Sequence, residues 1–535
     1  MSPRALFSVL AVVSLVCCQP ILAAVPVGFT DALVTSVGAP TALAFTPDGR
    51  FLITQQSGSL RVFQGGSLLA TPALTFGTSA ICTNSERGLL GVAVDPAFAA
   101  NHRIYLYYTF KRPADAVCVN RVSRFVLPDT NVIDPASQTV LLDNMQSTAG
   151  NHNGGDLHFG KDGFLYVSIG DGGCDYLSPS SCGGSNDAAR DENMLLGKIL
   201  RITADGGIPA SNPFQGAGTA RCNTDGGTTP GLRCQETFSW GLRNPFRFAF
   251  DPNSTGSRFF INDVGQGAWE EIDLGQSGAD FGWNCREGRH TNNTSGPCSP
   301  APPGMVDPIF EYSHSATVPG TGVGGCGSIT GGAFVPNGLW PGYDGAYLFA
   351  DFNCGAIFSL ADSGASGNAS AFATGLGSSS AVTMIFGPFG GSQALYYTTY
   401  AGGGQVRRIS RNLRDDGPLD FFTVAPCRAV DTRGANAPAL AAGSTRTFAL
   451  AGLCGVPSTA RAVAANVTAV PSAAGFLNLH RADEAAGVTS TINFRAGVTR
   501  SNNAVLPLGT GGGVEVLNGA SGAVQLVIDV VGYFD

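Results

Sequence analysis

One sequence phrase recurs six times and limits the folds open to this chain of 535 residues. Each copy joins an apolar strand to an aromatic-rich strand through a turn that contains Asp, Gly or Pro. Alternation of apolar with small or polar residues is typical of half-buried antiparallel strands, and the turns are those of hairpins. Such repeats predict a six-bladed β-propeller. The copies begin at or near Leu43, Leu89, Asp156, Phe246, Ile329 and Val382.

The spacing of the copies indicates where the blades carry insertions. The first two copies begin 46 residues apart, which fits a propeller blade of roughly 40–50 residues. Later spacings are longer and place loop insertions around residues 174–245 and 267–328. Long loops on a rigid scaffold are where binding sites usually form, so we expect the functional site among them.

A second domain is predicted after the repeat ends near residue 411. A polar linker occupies residues 412–420, and from residue 421 the composition shifts to Ala, Val, Gly and Thr with further strand-like runs. We therefore predict an all-β chain, with a propeller over residues 25–411 and a smaller β-sandwich-like domain over residues 421–535. The second domain shows no catalytic constellation, which favours a binding or surface-attachment module.

Composition and charge exclude several classes of protein. Only 13% of the residues are charged, and the formal net charge is −8. Long helices and coiled coils need less Gly and more Glu and Lys, while the plentiful apolar residues exclude disorder. No basic run is present, so we expect no binding to nucleic acid. Lysine is nearly absent and occurs only at Lys111, Lys161 and Lys198.

The N-terminus and the cysteines both indicate a secreted, periplasmic or cell-surface protein. Arg4 precedes an apolar run with small residues at its end, so residues 1–24 are predicted to be a signal peptide. The run is too short for a membrane anchor, and no transmembrane segment is expected. Twelve Cys remain after it, and an even number without CxxC favours disulfides over a zinc site. The predicted pairs are Cys82–Cys118, Cys174–Cys182, Cys222–Cys234, Cys285–Cys298, Cys326–Cys354 and Cys427–Cys454.

Two polar segments carry candidates for proton transfer and anion binding. His152 lies in the Gly-rich loop of NHNGGDLHFGKDGFLYVSIGDGG and is either a general base or a turn histidine that bonds to backbone. Arg243 and Asn244 stand before Pro245 in GLRNPFRFAFDP. An arginine at such a turn clamps an anion or a developing oxyanion, or else pairs with a structural Asp.

Two further segments are acidic. In NDVGQGAWEEIDLG, backbone carbonyls with Asp263, Glu270 or Glu271 could ligate Ca²⁺, and an exposed acidic turn is the alternative. In SERGLLG, Glu86 and Arg87 are explained most simply by a salt bridge between blades.

Together and in this order, these segments resemble the soluble quinoprotein sugar dehydrogenases, which include glucose, aldose and sorbosone dehydrogenases. The resemblance covers roughly residues 30–410 and rests on the motifs quoted above and on LLGKILRI. It implies a six-bladed propeller that binds pyrroloquinoline quinone (PQQ) and Ca²⁺ on its top face. Hedgehog-interacting-protein-like proteins share this fold.

The resemblance also implies catalytic and cofactor-binding roles. His152 matches the general base that takes the proton of the sugar's anomeric hydroxyl as hydride leaves C1 for the quinone. Arg243 matches the arginine beside the quinone oxygens, where negative charge develops, and Asn244 matches a cofactor-binding asparagine.

Metal- and substrate-binding roles follow in the same way. Gly265 and Gln266 fall where the family's backbone carbonyls hold Ca²⁺. Glu86 and Asn151 fall near the family's substrate.

The chain departs from the family where PQQ carboxylates are anchored. The family uses one lysine and two arginines, and the corresponding positions here are Asn353, Ser380 and Val382. Each lost charge-assisted contact removes about 1–3 kcal/mol when the site is desolvated. Arg201, Arg221 and Arg233 are the candidates in other loops that could bind the PQQ carboxylates in place of the missing cations.

The leading interpretation is an exported PQQ- and Ca²⁺-dependent sugar dehydrogenase that oxidises an aldose at C1. Electrons would pass to an external quinone or redox protein, because the haem-attachment motif CxxCH is missing. The alternative is a non-catalytic propeller that binds carbohydrate or protein at the cell surface. A Ca²⁺-dependent hydrolase such as a lactonase would need a ring of acidic and Asn ligands that the sequence does not assemble.

Overall fold

The computed structural model describes residues 24–173, 188–361, 368–411, 419–482 and 489–535. The predicted signal peptide except Ala24, the predicted pair Cys174–Cys182 and most of the predicted linker lie outside these residues. The chain divides into two compact units between Arg411 and Asn412. Regular structure is almost entirely strand, and no described helix has the length and apolarity needed to cross a membrane. The helical turns are α1 (Phe98–Asn101) and the 3₁₀ turns Pro135–Ser137, Gly296–Cys298, Ala401–Gly403 and Thr510–Gly512.

The first unit contains six antiparallel sheets, numbered here in chain order, each with four principal strands. The first strand of the chain, β1 (Phe29–Ser36), joins sheet 6 and is described with it. Sheet 1 contains β2 (Pro40–Phe45), β3 (Phe51–Gln55), β4 (Ser59–Gln64) and β5 (Ser67–Leu68), with the short β6 (Leu74–Thr75) beside β4. Sheet 2 contains β7 (Leu89–Val94), β8 (Arg103–Lys111), β9 (Cys118–Val126) and β10 (Thr139–Gln146).

Sheets 3 and 4 carry the long insertions. Sheet 3 contains β11 (Leu157–Phe159), β12 (Leu165–Ile169) and β13 (Lys198–Ile202), then the separate pair β14 (Thr219–Ala220) and β15 (Arg233–Cys234), and ends on β16 (Thr237–Trp240). Sheet 4 contains β17 (Pro245–Phe250), β18 (Phe259–Asp263) and β19 (Trp269–Leu274), then the separate pair β20 (Arg286–Glu287) and β21 (His290–Thr291), and ends on β22 (Phe310–Ser313).

Sheets 5 and 6 complete the first unit. Sheet 5 contains β23 (Ile329–Phe334), β24 (Tyr347–Asp351), β25 (Ala356–Leu360) and β26 (Ala369–Ala373). Sheet 6 contains β27 (Ser380–Phe389), β28 (Ser392–Thr399) and β29 (Gln405–Arg411), and β1 pairs antiparallel with β29 as its fourth strand. An N-terminal strand therefore completes the last sheet.

The first two strands of each sheet coincide with one of the six predicted copies. Strand β2 contacts β7, β7 contacts β11, β12 contacts β17, β17 contacts β23, β23 contacts β27, and β27 contacts β2 again. The prediction of a six-bladed propeller is confirmed.

Aromatic side chains fill the space between neighbouring blades. Phe260 of sheet 4 lies 4.8 Å from Phe334 and 5.0 Å from Tyr347 of sheet 5, measured between ring centroids. The Tyr347 hydroxyl donates to Oδ1 of Asn262 at 2.9 Å, so the ring is buried without an unpaired polar atom. Large rings that bury apolar surface and still satisfy their hydroxyls explain why the second strand of each copy is aromatic-rich.

The second unit is a two-sheet β-sandwich, as predicted. Its strands are β30 (Phe421–Asp431), β31 (Thr445–Ala449), β32 (Ala462–Pro471), β33 (Gly475–Arg481), β34 (Ile492–Phe494), β35 (Arg500–Pro507), β36 (Gly513–Asn518) and β37 (Val524–Phe534). One sheet has the order β30-β37-β32-β35 and the other β31-β36-β33-β34. Alternate residues such as Val463, Ala465 and Val467 of β32 are buried against Val514 and Val516 of the facing sheet. This alternation is what a sandwich requires of its inner faces.

Five of the six predicted disulfides lie in the described part of the chain, and all five are formed. Each closes a loop of 12 to 36 residues. The bonds are Cys82–Cys118, Cys222–Cys234, Cys285–Cys298, Cys326–Cys354 and Cys427–Cys454.

Candidate functional site

A cavity of about 240 Å³ lies where the first strands of the blades converge. Thr41 of β2, Leu90 of β7, Arg247 of β17, Thr330 of β23 and Val382 of β27 all line it. The cavity therefore lies on the axis of the propeller. Two of the predicted site residues, Glu86 and Asn244, also line it.

His152 is buried and held by two carboxylates. Its backbone N–H donates to Oε2 of Glu86 at 2.8 Å, and its ring Nδ1 lies 2.7 Å from Oδ1 of Asp171. Its φ of +51° is uncommon for a residue other than glycine, so these two contacts fix an otherwise unfavourable conformation. The side chain bonds to a carboxylate and not to backbone, and Nε2 makes no hydrogen bond within the described residues.

Asp171 is the residue that orients His152. Its Oδ2 accepts the indole N–H of Trp283 at 2.9 Å, and its Oδ1 also accepts the N–H of Gly173 at 2.8 Å. Burial raises the pKa of Asp171, but His152 and Arg243 outweigh burial and lower the pKa below its ordinary value. The ionised carboxylate attracts the proton on Nδ1, which leaves Nε2 as the ring atom able to accept a proton.

Arg243 and Asn244 are positioned by a buried carboxylate at the end of β18. Asp263 accepts the backbone N–H of Arg243 at 2.8 Å and that of Asn244 at 2.6 Å. Burial raises the pKa of Asp263 to about 7, although the two N–H donors act to lower it. The side chain of Arg243 donates to the carbonyl of Val264 at 2.8 Å, and within the described residues it does not form the alternative ion pair with an Asp side chain. Asn244 Oδ1 accepts the N–H of Gly154 at 3.1 Å and thereby links sheets 3 and 4.

The turn between β18 and β19 presents two free carbonyls. Glu287 Oε1 accepts four consecutive N–H groups, from Gln266 at 2.7 Å through Trp269 at 3.0 Å. Burial raises the pKa of Glu287, but these four donors outweigh burial and lower it. Because a peptide C=O points opposite to the next N–H, the carbonyls of Gly265 and Gln266 point away from Glu287. Neither accepts a hydrogen bond from any part of the chain that the structure describes.

A second group that could hold a metal ion lies behind this turn. Carboxylate oxygens of Asp263, Glu271 and Asp273 approach one another within 4.8 Å, and all three residues are buried. Burial and mutual repulsion raise the pKa values of Glu271 and Asp273 well above their ordinary range. The expectation of an exposed acidic turn is therefore wrong. Glu270 faces elsewhere, with Oε1 2.5 Å from Nε2 of His314.

Four buried polar atoms, one on the cavity-lining Arg247 and three on predicted site residues, have no hydrogen-bond partner in the described residues. They are Asn151 Oδ1, Arg243 Nε, Arg247 Nε and Gln266 Oε1. Buried polar atoms are nearly always bonded, and each unsatisfied one needs an explanation such as a ligand or water. Three of the four belong to residues that the sequence already assigned to the site.

The other acidic motif does not form the expected salt bridge. Arg87 is buried and donates to the backbone carbonyls of Ser147 and Thr148, and within the described ranges it has no carboxylate partner. Glu86 instead binds the N–H of His152. The interpretation of Glu86 and Arg87 as an interblade ion pair is therefore wrong.

The three positions that correspond to the family's cofactor-anchoring cations differ in their surroundings. Val382 lines the cavity and offers only apolar surface. Ser380 lies two positions before Val382 on β27, and its hydroxyl is bonded to the carbonyl of Leu376 and to Thr399. Asn353 is exposed, with its N–H bonded to Asp351.

None of the three arginines considered as replacements lines the cavity. Each is held by its own blade, because Arg201 bonds to Asn212 and Asp162, Arg221 to Glu236, and Arg233 to Glu192.

Sequence reasoning missed three residues of this site: Asp171, Arg247 and Glu287. The hairpin that joins β11 to β12 could have revealed Asp171, since its register places residues 152 and 171 at the same end. Arg247 interrupts the aromatic run of β17, which is a signal in itself. Glu287 lies on β20, 18 to 21 positions after the residues whose N–H groups it accepts, and no strand register in the sequence connects the two.

Comparisons with known proteins identify the family of this chain. The family model for glucose/sorbosone dehydrogenases matches residues 37–361. The Synechocystis protein slr1608 is 32% identical over 308 residues, and the Escherichia coli aldose sugar dehydrogenase YliI is 31% identical over 277 residues. These matches cover 54% and 51% of this chain but only 66% of each relative, just under two thirds of its length.

A solved structure of a PQQ-bound aldose sugar dehydrogenase from Streptomyces coelicolor shares the fold. It aligns at a TM-score of 0.53 with 22% identity and covers 72% of this chain and 99% of its own. Because the family model matches more than half of the residues, the chain belongs to the glucose/sorbosone dehydrogenase family.

Proposed function

We propose that this protein is an exported sugar dehydrogenase that uses PQQ and Ca²⁺ and oxidises an aldose at C1. The observation that carries the proposal is the buried His152–Asp171 pair, which adjoins Glu86 and Asn244 of the axial cavity. A histidine oriented by an ionised carboxylate is the arrangement expected of a general base. The PQQ-bound relative of the same fold supports the choice of cofactor.

The residues present fit the quinone end of PQQ. The unpartnered Nε of Arg243 and the neighbouring Asn244 would hold the quinone oxygens, and the outward-facing carbonyls of Gly265 and Gln266 would hold Ca²⁺. When bound, PQQ would supply the acceptor for hydride and Ca²⁺ the charge that polarises it. Arg243 adds a fixed positive charge beside the atoms where negative charge grows.

The chain's own residues would move the proton and hold the sugar. His152 would accept the proton of the anomeric hydroxyl at Nε2, since Nδ1 is turned toward Asp171. Asp171 stabilises the imidazolium that results, as the carboxylate of a catalytic triad does. Glu86 and Asn151 offer oxygen acceptors for sugar hydroxyls, and the buried Oδ1 of Asn151 lacks a partner in the described residues.

Export and the external partners belong to the same proposal. The predicted signal peptide and the five disulfides fit an oxidising compartment. Electrons would leave to an external quinone or redox protein. The β-sandwich would attach the enzyme to the cell surface or bind a partner there.

One experiment tests the proposed activity. The mature protein is loaded with PQQ and Ca²⁺ and offered a panel of aldoses with an artificial electron acceptor. Turnover that depends on both additions supports the dehydrogenase. The proposal would be refuted if the loaded protein showed no turnover and no spectrum of bound quinone.

The second candidate is a non-catalytic propeller that binds carbohydrate or protein. The observation that favours it is the loss of cationic side chains at Asn353, Ser380 and Val382. Sugar binding detected by calorimetry without any quinone-dependent turnover would select this candidate.

A further inference from the structure

Arg247 lies at the centre of the propeller and reaches across it. The residue belongs to β17 of sheet 4 and lines the axial cavity, where only 3% of its surface is exposed. Its Nη2 donates to the carbonyl of Thr41 at 2.8 Å, and its Nη1 donates to the carbonyl of Phe246 at 2.6 Å. Thr41 belongs to sheet 1, three blades away in a ring of six. The guanidinium therefore bridges opposite blades.

This buried cation has no carboxylate at ion-pair distance within the described residues. Among the residues that the structure describes, no carboxylate forms an ion pair with Arg247, and its buried Nε has no hydrogen-bond partner. Two other buried arginines of the propeller are paired, Arg50 with Asp48 and Arg190 with Asp280. Arg87 and Arg243 also form no ion pair within the described residues, but neither lines the cavity. The buried carboxylate of Asp156 acts on Arg247 only from beyond ion-pair distance. Burying a charge without a directly bonded counter-charge is costly, so a guanidinium that faces a cavity in this state indicates that a ligand supplies the anion.

The other polar groups considered in the cavity do not supply an anion that pairs with Arg247. Glu86 already accepts the N–H of His152. Burial raises the pKa of Tyr400 to about 12, so its phenol stays neutral at physiological pH. Ser328 and Thr330 offer hydroxyls only.

No second cation competes for the ligand within the described cavity. Arg247 is the one Lys or Arg among its lining residues. The two undescribed stretches between residues 24 and 411, residues 174–187 and 362–367, contain neither Lys nor Arg. A carboxylate that enters the cavity therefore meets Arg247.

We propose that Arg247 is the anion-binding residue of the cavity and that it pairs with a carboxylate of the ligand. This role rests on the proposed function, and the carboxylate belongs either to the PQQ tricarboxylate or to an acidic sugar such as a uronate. In either case Arg247 on β17 supplies the positive charge for carboxylate binding that Asn353, Ser380 and Val382 lack. Guanidinium suits this because its fork binds a carboxylate through two parallel hydrogen bonds.

The test compares Arg247→Met and Arg247→Lys with Arg233→Met, a matched control that removes an arginine paired with Glu192 outside the cavity. The dissociation constant of PQQ is measured by calorimetric titration in the presence of Ca²⁺, and again with PQQ trimethyl ester. Removing one member of a buried charge pair predicts that Arg247→Met weakens PQQ at least about 30-fold. Arg247→Lys should lose less, and Arg233→Met should match the wild type.

The ester isolates the carboxylate. If Arg247 pairs with a carboxylate of PQQ, wild type and Arg247→Met should bind the trimethyl ester with equal affinity, because the ester has no charge with which Arg247 could pair. Thermal unfolding of each variant verifies that it is folded, and Arg247→Lys provides a charged variant of similar length.

A second titration identifies the source of the carboxylate. Glucuronate and glucose are compared as ligands of wild type and Arg247→Met. If PQQ affinity is unchanged but glucuronate binding is lost relative to glucose, the carboxylate belongs to the sugar. The proposal is overturned if Arg247→Met binds both PQQ and glucuronate like the wild type, or if the wild type binds neither.

The two proposals fail separately. A wild-type protein that does not bind PQQ contradicts the proposed cofactor. The role of Arg247 is still supported if that protein binds glucuronate and Arg247→Met loses this binding relative to glucose.

Discussion

Nδ1 of His152 lies 2.7 Å from Oδ1 of Asp171, although the two residues are separated by 19 positions in the chain. The hairpin of β11 and β12 brings them together, because His152 precedes its first strand and Asp171 follows its second. Leu157 pairs with Val167 in this hairpin, a register that sets residues 152 and 171 at one end. The strand pairing of a single blade thus builds the candidate base and its orienting carboxylate.

Replacing His152 tests its role as the base. His152→Ala should lower kcat by about 100-fold to 10,000-fold, the usual contribution of general acid–base catalysis, while PQQ still binds. Steady-state kinetics and a PQQ titration measure the two effects separately. A variant that keeps the full rate would contradict the assignment.

Replacing Asp171 tests how His152 is oriented. Asp171→Asn removes the charge that directs Nδ1 and should lower kcat with little change in the dissociation constant of PQQ. Asp162→Asn is the matched control, because Asp162 lies in the turn at the other end of the same hairpin and bonds to Tyr166. Equal losses of kcat in both variants would mean that hairpin stability, and not orientation, explains the effect.

Replacing Glu287 tests the proposed Ca²⁺ turn. Glu287→Gln removes the charge that holds four N–H groups, so the carbonyls of Gly265 and Gln266 lose their fixed direction. Charge-assisted hydrogen bonds are about twice as strong as neutral ones, and we expect Ca²⁺ affinity to fall by about tenfold or more. Calorimetric titration of Ca²⁺ into the metal-free protein measures it, with Glu192→Gln as a surface control. Unchanged affinity would place the metal elsewhere.

The sequence predicted the scaffold well because the scaffold depends on local patterns. Period-2 alternation and hairpin turns identified the first two strands of every blade, and neighbouring cysteines identified five short loops. The position of Arg247 could not be predicted in this way. Its significance depends on Thr41, which is 206 residues away and meets it only when the ring of blades forms. No local pattern encodes that contact.

Lys198 predicts a pH dependence of stability. The side chain is fully buried and donates to the carbonyl of Leu196 at 2.6 Å, and burial lowers its pKa to about 7 from 10.5. Between these two pH values the unfolded chain binds more protons than the folded one, so stability rises with pH across this window. Below pH 7 both states hold the proton, and Lys198 adds no further pH dependence. The melting temperature of the wild type should therefore rise relative to Lys198→Met from pH 7 to 10. Lys161→Met, at an exposed lysine, should show no such trend, and parallel curves for Lys198→Met would disprove the shift.

The disulfide of the β-sandwich should contribute strongly to the stability of that unit. Cys427–Cys454 closes a loop across 27 positions, and cross-linking such a loop reduces the entropy of the unfolded chain by an amount worth about 3 kcal/mol. Replacing both cysteines with Ala should therefore speed hydrogen exchange about 100-fold in peptides from the centre of β32 and β37, where exchange requires the unit to open. Peptides from β12 and β13 serve as the internal reference within the same sample. Unchanged exchange in β32 and β37 would show that the buried apolar core, 23 residues in the described part of the sandwich, holds the unit together without the cross-link.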